Sequence, residues 1–108
     1  EEEMDYFECY VAEDENGTLL GMALYYFVYY TWVGKSMYLD DLIIKEEYRG
    51  NGIGTVLLKK IIETAKVCKC KRLRWQVLDW NEKAIDLYKK YNCALDGGWL
   101  NCDMEFEL

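Results

Sequence analysis

The chain has 108 residues, of which 52% are apolar and 16% aromatic, and its formal charge at pH 7 is −7. This length suits one small domain with a modest core, over residues 1–108, and the apolar content excludes a disordered segment. The net acidity argues against a nucleic-acid partner, which requires a basic face, and it suits a cationic substrate.

Histidine is absent, which excludes Ser-His-Asp and Cys-His nucleophiles and the histidine-bearing zinc motifs. The five cysteines have no paired zinc spacing, so we expect reduced thiols in a cytoplasmic protein without a metal. The longest apolar run, residues 23–34, is too short and too aromatic to cross a membrane. Strand-like sequence begins almost directly after Glu1–Met4, which predicts that an upstream part of the domain is not included.

Three consecutive strands are predicted in the first half of the chain. Residues 6–13 alternate in polarity, and Asn16-Gly17 then supplies a hairpin turn. Residues 18–30 are rich in β-formers and predict a long antiparallel partner. A loop over residues 31–35 leads to a third strand, residues 37–44.

Helices and strands alternate in the second half. Apolar residues at helical spacing predict an amphipathic helix over residues 56–68. Residues 72–78 predict a fourth strand, parallel to the third because a helix connects them. Asn81 caps a second helix over residues 82–91, and residues 99–108 supply a last strand or two. The order β-β-β-α-β-α-β predicts an α+β fold, a mixed sheet flanked by helices.

A glycine-rich turn between the third strand and the first helix indicates an anion-binding site. Unpaired N–H groups and the positive dipole end at a helix start attract anions, and glycines allow close approach. No Lys follows the last glycine, which excludes a nucleotide P-loop. Gly50, Gly52 and Gly54 alternate strictly, which excludes the dinucleotide fingerprint. The remaining pattern is Arg-x-x-Gly-x-Gly from Arg49, and the structural alternative is a simple tight turn.

Two consecutive carboxylates at the end of the third strand are candidates for proton transfer. An amine is protonated at pH 7, and a nearby carboxylate can attract it and accept its proton directly or through water. Asp40 and Asp41 are adjacent on a strand, so their side chains are predicted on opposite faces, with Asp40 lining the cleft. The Leu42 N–H could donate a hydrogen bond to the oxyanion of a tetrahedral intermediate. The alternative is a pair of solvated strand-end carboxylates.

The Arg-x-x-Gly-x-Gly pattern resembles the pyrophosphate-binding signature of the Gcn5-related N-acetyltransferase (GNAT) superfamily. From about residue 6 onward, several short motifs in the correct order are similar to the spermidine/spermine (diamine) acetyltransferases, including their thialysine-acetylating branch. The resemblance implies the GNAT acyl-CoA N-acyltransferase fold, without its N-terminal strand and first two helices, which form one wall of the amine site. The motifs are Ala23–Phe27, Tyr38–Asp41, Tyr48–Gly54, Val77–Asn81, Asp86–Lys89 and Gly98-Trp99.

The resemblance also implies which residues bind acetyl-CoA. The backbone of Leu42, Ile43 and Ile44 would pair with the pantetheine arm. The turn would hold the pyrophosphate, and the start of the second helix would contact the coenzyme farther along. These binding residues are Arg49, Gly50, Asn51, Gly52, Ile53, Gly54 and Thr55, then Asn81, Glu82, Lys83 and Ala84.

Catalytic roles follow from the same resemblance. Tyr88 matches the family's general acid near the thioester sulfur, and Asp40 matches the residue that binds the amine and helps to remove its proton. Asp41, Trp75 and Gln76 are implied on the substrate side, with the last two on a strand. From the sequence alone, Tyr88 could equally be a core aromatic at helical spacing.

These residues together predict an N-acetyltransferase that moves an acetyl group from acetyl-CoA to a primary amine. The acceptor is expected to be a small diamine, polyamine or lysine-like amine, reached by direct transfer in a ternary complex. A cysteine acyl-enzyme is disfavoured because no base is available to activate a thiol. The alternatives are the same chemistry on another amine, a non-catalytic acyl-CoA or polyamine-binding module, and a purely structural domain. A homodimer is typical of the family.

Overall fold

A computed structural model describes residues 7–77, 80–98 and 100–107 of the chain. These residues fall into two compact units, within 1–76 and 77–108. The elements in chain order are β1 (Glu8–Glu13), β2 (Leu19–Tyr30), β3 (Gly34–Ile44), a 3₁₀ turn (Glu46–Tyr48), α1 (Ile53–Val67), β4 (Arg72–Arg74) and α2 (Glu82–Lys89).

The four strands of the first unit form one sheet in the order β1-β2-β3-β4. β1 pairs with β2 and β2 with β3 in antiparallel fashion, whereas β3 and β4 are parallel. The parallel pair is the one joined by a helix, as expected when a chain must cross over to start a parallel strand. The predicted mixed sheet and α+β class are confirmed.

The predicted hairpin turn between β1 and β2 is confirmed. Gly17 adopts φ +78°, which favours glycine. The Asp14 carboxylate accepts hydrogen bonds from the backbone N–H groups of Asn16 and Thr18, both at 2.9 Å. Chiefly because the Thr18 N–H donates to it, the pKa of Asp14 lies below its ordinary value.

The core lies between α1 and the sheet. α1 buries a stripe at helical spacing, and the facing sheet residues alternate along their strands, which is the packing that amphipathic elements require. The hydroxyls of Tyr10 and Thr64 lie 2.8 Å apart and fix α1 against β1. The buried apolar residues are Leu57, Leu58, Ile61 and Ala65 of α1, with Ala23, Tyr25, Met37 and Leu39 of the sheet.

Several predicted boundaries need correction. α1 begins at Ile53 rather than residue 56, because Gly52, at φ +80°, is already its N-cap. The predicted loop over residues 31–35 is shorter, since Gly34 and Lys35 already pair with β2. β4 ends at Arg74 and α2 at Lys89, each earlier than predicted.

The predicted last strand is wrong for residues 100–107, none of which is in a strand. A stable strand needs a paired neighbour and a face that is buried. The apolar side chains here are not buried, since Leu100 is 91% exposed and Phe106 72% exposed. Residues 1–6, 78–79, Trp99 and Leu108 lie outside the described residues, together with the parts of the predicted strands that they include.

Two further observations concern the state of the cysteines and the apolar character of the helices. All five cysteines are free thiols. Neither helix in the described part of the chain combines the length and apolar character that a bilayer crossing requires.

Candidate active site

The strand β3 has two halves that differ in their pairing. In the closed half, Gly34–Leu39, residues 36–38 pair with β2 on one edge and with β4 on the other. The open half, Asp40–Ile44, keeps its β2 partner, but no described strand pairs with its other edge. The backbone groups on that edge have no described strand partner, although the Ile44 carbonyl accepts from Arg49. An extended ligand can add to such an edge as a strand does.

A β-bulge separates the two halves. Tyr25 pairs with Leu39 and Leu24 with Asp41, so Asp40 is an extra residue without a partner on β2. A bulge interrupts side-chain alternation and bends the strand, which commonly re-aims residues at active sites. The prediction that Asp40 and Asp41 point to opposite faces required an unbroken strand, which the structure does not have. Both carboxylates are exposed.

Asp40 lies near a pair of tyrosines. The rings of Tyr26 and Tyr38 are tilted with their centroids 5.5 Å apart. Burial, followed by the negative charge of Asp40, raises the pKa of Tyr26. Burial is also the main cause that raises the pKa of Tyr38, with Tyr26 and Asp40 adding to it. The Asp40 carboxylate is thus placed at the edge of an aromatic surface, a combination that suits an alkyl ammonium group.

The glycine-rich turn follows the open half and enters α1. Gly50 and Gly52 adopt φ +84° and +80°, so a side chain at either position would be strained. A Cβ at either would meet no atom within 4 Å, so space is open beside both. Gly54 lies inside the first turn of α1, where a Cβ would be 3.7 Å from Cγ1 of Ile44, an ordinary contact.

Six consecutive backbone N–H groups in this turn have no acceptor among the described residues. They belong to residues 50–55, and the first helical bond is donated by Val56 to the Gly52 carbonyl at 3.1 Å. Gly52 has no side chain to cap the helix, and the first turn contains no acidic residue that would compete with an anion. A run of free amides at a helix start fits a diphosphate.

Two side-chain hydrogen bonds hold this turn, and the one from Arg49 ties it to β3. The Arg49 Nε donates to the Ile44 carbonyl at 3.1 Å, and the Asn51 Nδ2 donates to the Tyr48 carbonyl at 3.2 Å. Arg49 is exposed, so its charge stays at the mouth of the turn while its Nε is held. The positive charge is therefore positioned by the end of the open half.

The second unit contains the predicted helix start. The Asn81 Oδ1 accepts from the Ala84 N–H at 3.3 Å, and the Asn81 carbonyl accepts from Ile85 at 3.0 Å, which confirms the cap. One lone pair of Oδ1 is used by the cap, so Asn81 keeps its Nδ2 and the second lone pair of Oδ1 for a ligand. Glu82 and Lys83 are exposed. Tyr88 is half-buried and lies two turns beyond Asn81, on the same face of α2.

Residues 1–92 match the acetyltransferase (GNAT) family. The chain belongs to this family. It is 46% identical over 94 residues to the thialysine N-epsilon-acetyltransferase of Sus scrofa, covering 81% of this chain and 55% of the relative. It is 42% identical over 115 residues to the Mus musculus enzyme of that name, covering 97% and 68%. A spermine/spermidine N(1)-acetyltransferase of Bacillus subtilis is 35% identical over 85 residues, covering 75% and 56%.

Solved structures support the same assignment. An integron cassette protein of V. cholerae superposes with a TM-score of 0.82 at 27% identity, over 96% of this chain and 64% of that one. A putative acetyl transferase from Pyrococcus furiosus gives 0.80 at 26% identity, over 91% and 66%. The predicted family and the GNAT fold are confirmed. This GNAT chain spans between 55% and 68% of the length of the first relatives it matches.

Some features of this GNAT site were not predicted from the sequence, and one prediction needs correction. Trp75 and Gln76 were expected on a strand, but β4 ends before them; Trp75 is half-buried and Gln76 exposed. Tyr26 and Tyr38 were not predicted as site residues. Tyr26 and Tyr38 are cross-strand partners, one pair away from the bulge on its Leu39 side, and this pairing could be found only from the register of β2 against β3.

Proposed function

We propose that this protein transfers an acetyl group from acetyl-CoA to a primary amine of a small diamine, polyamine or lysine-like substrate, directly within a ternary complex. The observation that carries the proposal is the run of unpaired amides in residues 50–55, next to the open half of β3. Such amides need an anion, and the unpaired strand edge needs an extended polar chain. The coenzyme supplies both, as a diphosphate and as a pantetheine arm with two amides.

The turn and the strand edge would bind different parts of the coenzyme. Arg49 and residues 50–55 bind the diphosphate, and the backbone of residues 42–44 pairs with pantetheine. On the second unit, Asn81 and residues 82–84 contribute the remaining coenzyme contacts, as the family resemblance implies.

The chemical step then requires three proton movements: loss of the ammonium proton, loss of a second proton from the nitrogen after attack, and protonation of the leaving sulfur. Asp40 accepts the ammonium proton directly or through a water, which frees the nitrogen lone pair. The nitrogen attacks the thioester carbon, the C–N bond forms, and the C–S bond breaks as the tetrahedral intermediate collapses. The Leu42 N–H is the proposed donor to its oxyanion. Tyr88 gives its phenolic proton to the departing sulfur, and the second proton of the attacking nitrogen passes through water to the Tyr88 phenolate, which leaves a neutral amide and the CoA thiol. Asp41, Trp75 and Gln76 contact the acceptor.

We further propose that the protein works as a cytoplasmic homodimer. Among the described residues β1 pairs only with β2, so its outer edge is unpaired, and Val11 on it is 52% exposed. Such edges commonly associate with a second copy. Analytical ultracentrifugation should give twice the mass of the monomer; a monomer at all concentrations would contradict this part.

Calorimetry with CoA and an assay of thiol release test the main proposal. CoA should bind, and acetyl-CoA with an amine panel should release thiol. Tyr88→Phe should lower kcat by about 10²-fold, in the range of general acid catalysis, and leave CoA affinity unchanged. Tyr91→Phe, which removes a half-buried hydroxyl just beyond α2, is the matched control. Absence of CoA binding would refute the proposal, and binding without turnover would indicate a non-catalytic acyl-CoA module.

A further inference from the structure

Gly21 on β2 lies where β2 and the open half of β3 come closest together. It is buried, and it pairs with Ile44. A Cβ on Gly21 would lie 2.7 Å from Cδ1 of Ile44 and 2.8 Å from the carbonyl oxygen of Ile43. Carbon atoms make their best contacts at about 3.5–4.0 Å, so even a methyl group here would overlap β3. At the other glycines of the described residues, the closest such approach is 3.4 Å.

The close approach follows from the way the two strands pair. The Lys45 N–H donates to the Leu20 carbonyl of β2 at 2.9 Å. Lys45 therefore directs its backbone toward β2, and Ile44, the preceding residue, directs its own toward the open edge, where its carbonyl accepts from Arg49. Ile44 and Gly21 are thus a non-hydrogen-bonded pair, in which the Cα atoms of antiparallel strands are only about 4.5 Å apart.

The side chain of Ile44 lies between two glycines. Its Cδ1 occupies the space that a Cβ on Gly21 would need, and its Cγ1 would be 3.7 Å from a Cβ on Gly54 in the first turn of α1. Its carbonyl holds the Arg49 side chain at 3.1 Å. Ile44 therefore contacts β2, the helix start and the glycine-rich turn together. Its position determines how far the free edge of β3 lies from the unpaired amides of residues 50–55.

The backbone conformation of Gly21 does not itself require glycine. Its φ is not in the positive range that Gly50 and Gly52 adopt. An alanine could take the same backbone, so the cost of a side chain at Gly21 comes from overlap with β3. The Cδ1 atom of Ile44 can rotate away, but the carbonyl of Ile43 is part of the backbone. Relief of this second overlap therefore requires β3 itself to move.

We propose that Gly21 is a positioning residue for acetyl-CoA: it lets Ile44 lie against β2 and thereby sets the spacing between the open edge of β3 and the diphosphate-binding amides. This inference rests on the proposed acetyltransferase function, and Gly21 acts through Ile44 without touching the coenzyme. A ligand that bridges two subsites gains affinity only when its length matches their separation. A displaced β3 should therefore weaken binding of the whole coenzyme more than binding of either part.

The test compares CoA with two of its parts, ADP for the amides and pantetheine for the strand edge. The product of the two fragment dissociation constants, divided by the dissociation constant of CoA, is the effective concentration that the spacing provides. Titrations followed by backbone-amide NMR measure the weakly binding fragments, and calorimetry measures CoA. A purely structural role would not change this quotient, because a loss of folded protein affects all three ligands alike.

Gly21→Ala should lower the effective concentration about 10-fold. The overlap is relieved by a shift of roughly 0.5 Å, from 2.8 Å to the ~3.3 Å of a carbon–oxygen contact, and a misplacement of about 1 Å can cost 10²-fold. The dissociation constants of ADP and pantetheine should each change by less than about 2-fold, since neither spans the two subsites. Gly97→Ala, at an exposed glycine with no atom within 4 Å of its Cβ, is the matched control and should change none of these values.

A double variant separates positioning from packing. Adding Ile44→Val to Gly21→Ala removes Cδ1, so the overlap with that atom disappears while the overlap with the Ile43 carbonyl remains. Compared with Ile44→Val alone, the double variant should recover part of the unfolding free energy lost in Gly21→Ala but keep the lowered effective concentration. Recovery of both would indicate a packing role and overturn the inference. If Gly21→Ala fails to fold, the double variant decides by the same comparison.

The outcomes distinguish this inference from the proposed function. Suppose that CoA binds the unmodified protein without thiol release, and that Gly21→Ala lowers the effective concentration. That result would refute the transferase proposal and support the positioning role. An unchanged effective concentration in folded Gly21→Ala would overturn the inference and leave acetyl transfer standing. Failure of the unmodified protein to bind CoA would overturn both.

Discussion

The closed and open halves of β3 belong to one strand with one antiparallel partner, yet they differ in pairing and in burial. Ser36 and Met37 of the closed half are 0% exposed, whereas Ile43 of the open half is 49% exposed. The number of large apolar side chains does not account for this, since each half contains three. The difference arises because β4 pairs with residues 36–38 only, and because a bulge follows Leu39.

This contrast shows how pairing alone divides one strand into a core segment and a segment with an unpaired edge. Where pairing continues on both edges, backbone groups are used by neighbouring strands and side chains build the core. Where pairing stops on one edge, the same backbone groups remain for a ligand, and the following turn adds its unpaired amides. The predictions below test whether the two halves are as separate as the structure indicates.

The largest effect is expected in the open half, for Asp40→Asn. The amide cannot take a proton from the acceptor ammonium, so kcat/KM should fall by about 10²- to 10⁴-fold. CoA affinity and thermal stability should not change, because Asp40 is exposed and unpaired at the bulge. The measurement is steady-state thiol release, with Glu63→Gln on the outer face of α1 as a control of equal charge change. Full activity of the Asp40→Asn variant would show that Asp40 takes no part in the mechanism.

The second prediction compares how much one residue of each half contributes to the free energy of unfolding. Met37→Ala leaves a cavity at a fully buried site and should cost about 2–5 kcal/mol of unfolding free energy. Ile43→Ala removes a half-exposed side chain and should cost less than about 1 kcal/mol. Urea unfolding followed by circular dichroism measures both. Equal losses of unfolding free energy would mean that Ile43 is as buried as Met37. The two halves of β3 would then not differ in burial.

The third prediction concerns the turn that extends the open half. Gly50→Ala keeps open space but forces a side chain into φ +84°, at a cost of about 1–2 kcal/mol. The strain should displace the amides and weaken CoA binding in calorimetry. Gly54→Ala meets only an ordinary contact with Ile44, so its unfolding free energy should not decrease. A turn that tolerates Gly50→Ala with unchanged CoA affinity would argue against the diphosphate site.

The smallest effect is expected at Cys70, where the chain enters β4 beside the closed half. Burial raises the pKa of its thiol, which leaves less reactive thiolate at neutral pH than an exposed cysteine has. Iodoacetamide should therefore modify Cys70 several-fold more slowly than Cys9 and Cys102, which are exposed. Its rate should rise as the pH increases toward the raised pKa. Mass spectrometry of peptides gives the rates, and equal rates would show that the closed half opens readily.

Local patterns account for much of what could be predicted. The hairpin at Asn16-Gly17, the amphipathic stripe of α1 and the Asn81 cap each depend on residues close together in the chain, so sequence indicates them directly. The sequence does not indicate the helix start at Ile53, because alternating glycines predict a turn, whereas Gly52 is the N-cap of α1. The strand predicted after Gly98 failed because strand formation depends on a partner distant in sequence.

By itself, the sequence determined most of the elements, the family and the position of the glycine turn, because periodicity and glycine spacing are properties of neighbouring residues. Only the tertiary structure decided where β4 stops pairing with β3, that Asp40 is a bulge, and that Gly21 lies opposite Ile44. Those features depend on the register between strands, which is set by packing across the whole sheet and not by any one segment.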